Sequence, residues 1–241
     1  MKVAYKIKTK IDKIPPGKVF SYQDLGILNQ EFRAAAKAIS RLVKQKSVNR
    51  ISTGIFYKPQ KTVFGELRPS ENEQLRPYLF NGKKRVAYVT GPALFNRLNL
   101  TTQVPKDINL AGKVKRPVSN VGNMEVRWVK SYVDVTNRNY FLLEILDALK
   151  DFKKIPDLNK QSAIKRIKAL LTDLKDMDQK RLVKYAQDYP PRTRALLGAL
   201  LESINRKVDL NRLKKSINAL TTFKIGITIE ILPNSKDWFI K

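Results

Sequence analysis

The chain of 241 residues contains no cysteine and no histidine. Those two absences remove Ser-His and Cys-His catalysis, thiol chemistry, disulfides and the thiolate and imidazole ligands of zinc sites. Any enzyme built here would work with carboxylates, Lys, Tyr, Ser, Thr or Arg, and any metal site would be all-oxygen. A chain without cysteine fits a reducing compartment. No apolar run approaches the roughly 20 residues that a spanning helix needs, and the opening MKVAYKIKTK lacks the apolar segment of a signal peptide. The expectation is a cytoplasmic protein without a membrane partner. Negative charge is also scarce, with 21 Asp and Glu against 48 Lys and Arg, a net charge of +27.

What is present is 42% hydrophobic and 9% aromatic, enough for real cores in one or two domains. A charge this large repels itself, and polyanions are the usual partners that relieve such repulsion. Residues 1–60 carry 13 basic and 3 acidic side chains, residues 61–130 carry 13 and 5, and residues 131–241 carry 22 and 13. The surplus is therefore densest at the amino-terminal end, and it points to nucleic acid.

That end has a recognisable order. Residues 3–14 read as a helix that Pro15, Pro16 and Gly17 stop abruptly. Val19 and Phe20 form a short extended stub. Ser21 as N-cap with Asp24 three residues on predicts a short helix through Leu25, followed by a turn at Gly26. Residues 30–46 form the clearest helix, with Phe32, Ala35, Ala36, Ile39, Leu42 and Val43 on one face. On the other side, Arg33, Lys37, Ser40, Arg41 and Lys44 fall within about a third of the circumference at ~100° per residue. Cations stacked on one ridge repel unless an anion lies opposite. Residues 48–58 then read as a hairpin turning at Thr53-Gly54 and ended by Pro59. Helix, short helix, turn, basic helix and hairpin is the order of a winged helix-turn-helix, in which the basic helix enters the major groove of double-stranded DNA. A solvated charged face on an ordinary three-helix unit is the plainer alternative.

Several segments resemble the AbiEi-type antitoxins of type IV toxin–antitoxin systems. They are Ile11-Asp12-Lys13-Ile14-Pro15 through Phe20, Ala36 to Val48, Arg50 to Pro59, Arg85-Val86-Ala87-Tyr88-Val89-Thr90-Gly91, Leu98 to Pro105, and Pro190-Pro191-Arg192 with Arg194 to Gly198. The resemblance implies a DNA-binding domain that represses its own operon at operator repeats, and a carboxy-terminal region that opposes a nucleotidyltransferase-like toxin. It places the recognition-helix role on Arg33, Lys37, Ser40, Arg41 and Lys44. It places the wing role on Arg50, Ser52, Thr53 and Lys58. No toxin-facing residue follows from it.

The fold class expected is α+β, with a winged helix-turn-helix at 1–62 and a second domain over 63–241. The second domain reads as a mixed sheet over about 67–135, a helical bundle over about 139–222 and a late strand at 224–232. Residues 66–70 read as a linker, and 71–80 as a helix disturbed by Pro77. Strands are expected at 85–90, 103–104, 108–111 and 125–130, with a helix opening at Gly91-Pro92. Gly91-Pro92 lacks the spacing of a phosphate loop. Helices are expected at 140–152, 161–174, 178–189, 193–205 and 210–222. The leucine stripe Leu196, Leu197, Leu200, Leu201 and Ile204 reads as core. The carboxylate pairs Asp173 with Asp176, and Glu144 with Asp147, read as surface ion pairs among lysines rather than a magnesium site. No enzyme activity, metal or cofactor is expected. The function expected is a DNA-binding repressor and antitoxin; the alternative is a basic RNA- or ribosome-associated protein without sequence-specific DNA recognition.

Overall fold

A computed structural model describes residues 3–115, 119–205 and 208–241. It is a mixed α/β protein that divides into two compact units, residues 1–85 with 118–125 and residues 86–117 with 126–241. The segment 63–85 therefore lies with the amino-terminal unit and not with the second.

The first unit opens with α1 (Val3–Asp12), β1 (Val19–Ser21), α2 (Phe32–Lys44), β2 (Asn49–Ser52) and β3 (Ile55–Tyr57). The three strands form an antiparallel sheet in the order β1-β3-β2, with Phe20 opposite Phe56 and Arg50 also opposite Phe56. The core gathers Ile7, Ile11, Phe20, Leu25, Ala35, Ala38, Ile39, Val48 and Phe56. Ala35 and Ala38 are small, so α2 lies close against α1. The helix expected over 21–25 is instead a turn. Its predicted cap chemistry is nevertheless in place: the backbone N–H and hydroxyl of Ser21 both donate to Asp24 Oδ2, at 2.7 and 2.8 Å. Those bonds close the turn, and too few residues remain before Gly26 to propagate a helix.

A hairpin missing from the sequence reading follows, β4 (Gln60–Thr62) and β5 (Gly65–Leu67). After it come α3 (Glu71–Leu79) and the short pair β6 (Phe80–Asn81) and β7 (Lys84–Arg85). Glu73 ties α3 to β1, accepting from Val19 N–H at 3.3 Å and pairing with Lys18 Nζ at 3.1 Å.

The second unit begins with β8 (Ala87–Thr90), α4 (Pro92–Arg97) and β9 (Asp107–Gly112), β8 pairing antiparallel with β9. Strand β10 (Asn120–Val121) pairs within the first unit with the start of β11 (Met124–Lys130), which runs on into the second unit beside β9. The strand expected at 103–104 is irregular chain, and Val104 is exposed. Helices α5 (Tyr140–Lys150), α6 (Lys160–Thr172), α7 (Asp176–Ala186), α8 (Pro191–Ser203) and α9 (Asn211–Lys215) complete the unit. The leucine stripe of α8 is core as expected. The helix expected over 210–222 stops at Lys215.

The late strand at 224–232 does not form. Ile225 and Ile227 are buried, which is what their alternation encoded, but their segment packs into the helical core. Its backbone meets the last residues of the chain, the N–H groups of Ile225 and Gly226 both donating to the Lys241 carbonyl at 2.8 and 2.9 Å. Alternation specifies a buried side, not a partner strand.

Helix α5 is buried along eight consecutive residues from Leu142 to Leu149, including Glu144 and Asp147. These carboxylates are not on the surface, and each has a partner. Arg97 pairs with Glu144 at 2.7 Å. Asp147 Oδ2 accepts from Tyr88 OH at 2.9 Å and Thr90 Oγ1 at 2.6 Å, while Lys150 Nζ binds its other oxygen at 3.0 Å. A buried carboxylate needs that many donors. Burial, then the negative charge of Asp147, pushes the Tyr88 and Tyr189 phenols far above their ordinary value. Burial alone would lower the Lys150 ammonium, but Asp147 and Asp151 outweigh it and raise it.

Two measurements test this core. A Cβ on Gly198 would overlap the ring of fully buried Trp238, so Gly198→Ala should destabilise the second unit by about 1–3 kcal/mol in chemical denaturation; an unchanged midpoint contradicts the packing. The three raised groups hold their protons more tightly folded than unfolded. Their stabilisation is thus complete below about pH 10 and is lost as pH rises beyond it. Thermal melts between pH 8 and 11 should show the midpoint falling only toward the alkaline end, with the slope reduced in the Tyr88→Phe, Tyr189→Phe double variant.

Candidate nucleic-acid interface

The geometry of α2 follows from its two faces. Ala35, Ala38 and Ile39 face the core, and Leu42 and Val43 pack at its edge. Phe32, expected on the buried face, is exposed, its ring 4.9 Å from Tyr22, which in turn meets Phe56 at 5.5 Å. Seating that face leaves one orientation for the other. Arg33, Lys37, Ser40, Arg41 and Lys44 are all exposed. Among the described residues none of the four cations makes an ion pair or a side-chain hydrogen bond. The ridge from Arg33 to Lys44 spans about 16 Å at 1.5 Å per residue.

The carboxylate just ahead of the helix is engaged elsewhere. Glu31, just ahead of the helix, pairs with Lys6 at 3.3 Å and accepts from the Leu28 N–H. The Lys6 bond first, and the Leu28 N–H next, hold its carboxyl below the usual carboxylate range. Arg41 and Lys44 in the last turn suit the helix dipole, whereas Arg33 in the first turn opposes it. A cation kept where the helix disfavours it adds to an anion-attracting end.

The hairpin residues divide into two pairs. Arg50 and Thr53 are exposed, the Arg50 guanidinium lying 5.5 Å from the Phe56 ring centre. Gly54 completes the turn between β2 and β3 with φ +76°, a conformation that glycine adopts without strain. Ser52 and Lys58 are engaged internally. Ser52 Oγ lies 2.7 Å from Tyr78 OH on α3. Lys58 Nζ donates to the Asp12 carbonyl at 2.9 Å, satisfying an end group of α1. Sequence patterning did not foresee either bond, because both partners are remote in the chain.

A pocket of about 520 Å³ opens beside Arg50 in the same unit. Its lining mixes Arg50 and Arg68 with Glu71 and the amides of Asn49, Gln74 and Asn123, so it does not define one ligand charge. Asp173 and Asp176 are exposed, and among the described residues no group of three or more acidic side chains could hold a metal ion. Among the described residues no helix is long and apolar enough to cross a membrane. The first unit carries 19 Lys and Arg against 7 Asp and Glu, a net +12.

Fold and surface thus define a two-unit α/β protein with a cationic helix face open to solvent. The chain belongs to a family of unknown function, DUF6088, which matches residues 6–182. It matches no curated protein. Among solved structures it is similar to the RV2827C protein from Mycobacterium tuberculosis, with a TM-score of 0.49 at 12% identity over 90% of this chain and 82% of that one.

The division of the hairpin residues is open to test. Lys58→Ala and Tyr78→Phe should each destabilise the first unit, by about 0.5–1.5 kcal/mol in urea, while Arg50→Ala should leave its midpoint within about 0.5 kcal/mol. The reverse ranking contradicts the assignment.

Proposed function

We propose that this chain binds double-stranded DNA through its first unit, acting as a winged helix-turn-helix in which a turn over residues 22–26 stands in place of the short helix before α2. In this reading α2 is the recognition helix, its Arg33, Lys37, Ser40, Arg41 and Lys44 facing base edges and phosphates of the major groove. Arg50 and Thr53 at the β2–β3 turn hold the flanking backbone. The observation that carries the proposal is the one-sided ridge of exposed, unpaired cations on a helix whose other side is core. Three further features support it: the strand order β1-β3-β2, the hairpin directly after the helix, and the surplus charge of the unit. A groove about 12 Å wide admits one helix of this kind.

The resemblance to AbiEi-type antitoxins extends the proposal to repression of the chain's own operon and to opposition of a nucleotidyltransferase-like toxin. Binding and toxin opposition are separable. The first rests on α2, and the second has no assigned residues.

The Lys37→Ala, Arg41→Ala double variant should bind the DNA upstream of its own reading frame about 2–3 kcal/mol more weakly, with the slope of log K against log salt reduced by about 2. Its melting curve should match wild type, since both side chains are exposed and unpaired. Unchanged affinity overturns the recognition-helix assignment. Displacement of the specific duplex by an equal amount of random duplex or RNA would favour the alternative, a nonspecific basic RNA-binding protein.

A further inference from the structure

The hairpin β4–β5 turns at Val63 and Phe64, and these side chains are 94% and 97% exposed. Turns of this length ordinarily take Gly, Asn, Asp or Pro for their backbone freedom and polarity. Here two large apolar residues stand almost entirely in water at the one place where folding asks for neither. The tip is nonetheless built. Thr62 Oγ1 accepts from the Phe64 N–H at 3.3 Å and donates to the Gly65 carbonyl at 2.9 Å. Gly65 adopts φ +109°, which a side chain would strain. One arm meets the sheet beside Arg50: Asn49 Nδ2 donates to Glu66 Oε2 of β5 at 3.2 Å, and to Tyr57 OH within the sheet at 3.1 Å. Lys61 stands opposite Glu66 across the hairpin, so the arms carry little net charge while the unit around them is strongly basic.

Size selects the occupant. A Val and a Phe side chain offer about 300 Å² together, well below the ~800 Å² per partner that a stable protein interface buries. One or two apolar side chains are, by contrast, all that a wedge between base steps requires. Proteins that kink DNA from the minor groove use such residues while cations elsewhere hold the backbone. We infer that the β4–β5 hairpin is a minor-groove wedge, Phe64 and Val63 entering a base step and unstacking it while α2 and Arg50 hold the duplex. The inference rests on the DNA-binding reading above. It adds that the chain bends its site, which gives preference to flexible pyrimidine–purine steps under the tip.

The full chain and its upstream duplex, labelled at both ends for energy transfer, provide the test. Wild type should shorten the end-to-end distance. The Val63→Ala, Phe64→Ala double variant should lose that bend and about 10-fold in affinity, and Phe64→Leu should retain most of both. Both side chains are in solvent, so the variants should melt as wild type does. If the alanine variant binds and bends like wild type while the Lys37→Ala, Arg41→Ala variant does not bind, the wedge is overturned and the DNA-binding reading stands. If wild type binds no duplex, both fall. A wild-type dimer that becomes monomeric in the alanine variant overturns the wedge in favour of a second copy as the occupant.

Discussion

Burial of Ala35, Ala38 and Ile39 against Ile7, Ile11, Phe20 and Phe56 is the packing on which the cationic surface depends. A helix has one rotation about its axis that hides those side chains, and that rotation carries Arg33, Lys37, Arg41 and Lys44 into water together. Their mutual repulsion is a modest cost in high dielectric, a few tenths of a kcal/mol per neighbouring pair. The apolar contacts of the opposite face exceed it several-fold. The first unit thus stores an unneutralised row of charge on a rigid support, and a polyanion is the partner that would relieve it.

The two units hold their most distinctive charges in opposite ways. In the second, carboxylates run into the core and are answered: Asp147 by Tyr88, Thr90 and Lys150, and Glu144 by Arg97. Leaving either carboxylate unanswered in the interior would be expensive, so these pairings stabilise the fold. In the first unit the cations of α2 are outside, where no such penalty forces pairing. This contrast separates a charge arrangement that stabilises a fold from one that remains available to a ligand.

Much of the first unit was legible in its residues. The apolar spacing from Phe32 to Val43 announced α2 and its free side, and Thr53-Gly54 announced the hairpin after it. What failed to read did so for local reasons. Ser21 and Asp24 carry the chemistry of a helix start, but the same two bonds close a turn. Val63-Phe64 gives no turn signal because its residues contradict turn chemistry, and only Gly65 behind it hinted at the hairpin. Glu144 and Asp147 were read as surface charges because their spacing to lysines suits an exposed face. Burial of α5 on all sides reversed that reading. Ser52 and Lys58 looked available for phosphates until their partners, Tyr78 and the end of α1, arrived from distant parts of the chain.

The sequence by itself determined the absence of thiol and imidazole chemistry, the large positive charge, and the rotation of α2 that exposes its cations. Each of these depends only on composition or on a period within one helix. Tertiary structure alone decided which charges are answered and which are free, whether 224–232 pairs as a strand or lines a helical core, and how the Val63-Phe64 tip is held out from the sheet. Those outcomes depend on which remote segment arrives beside a residue, and a one-dimensional pattern carries no record of that.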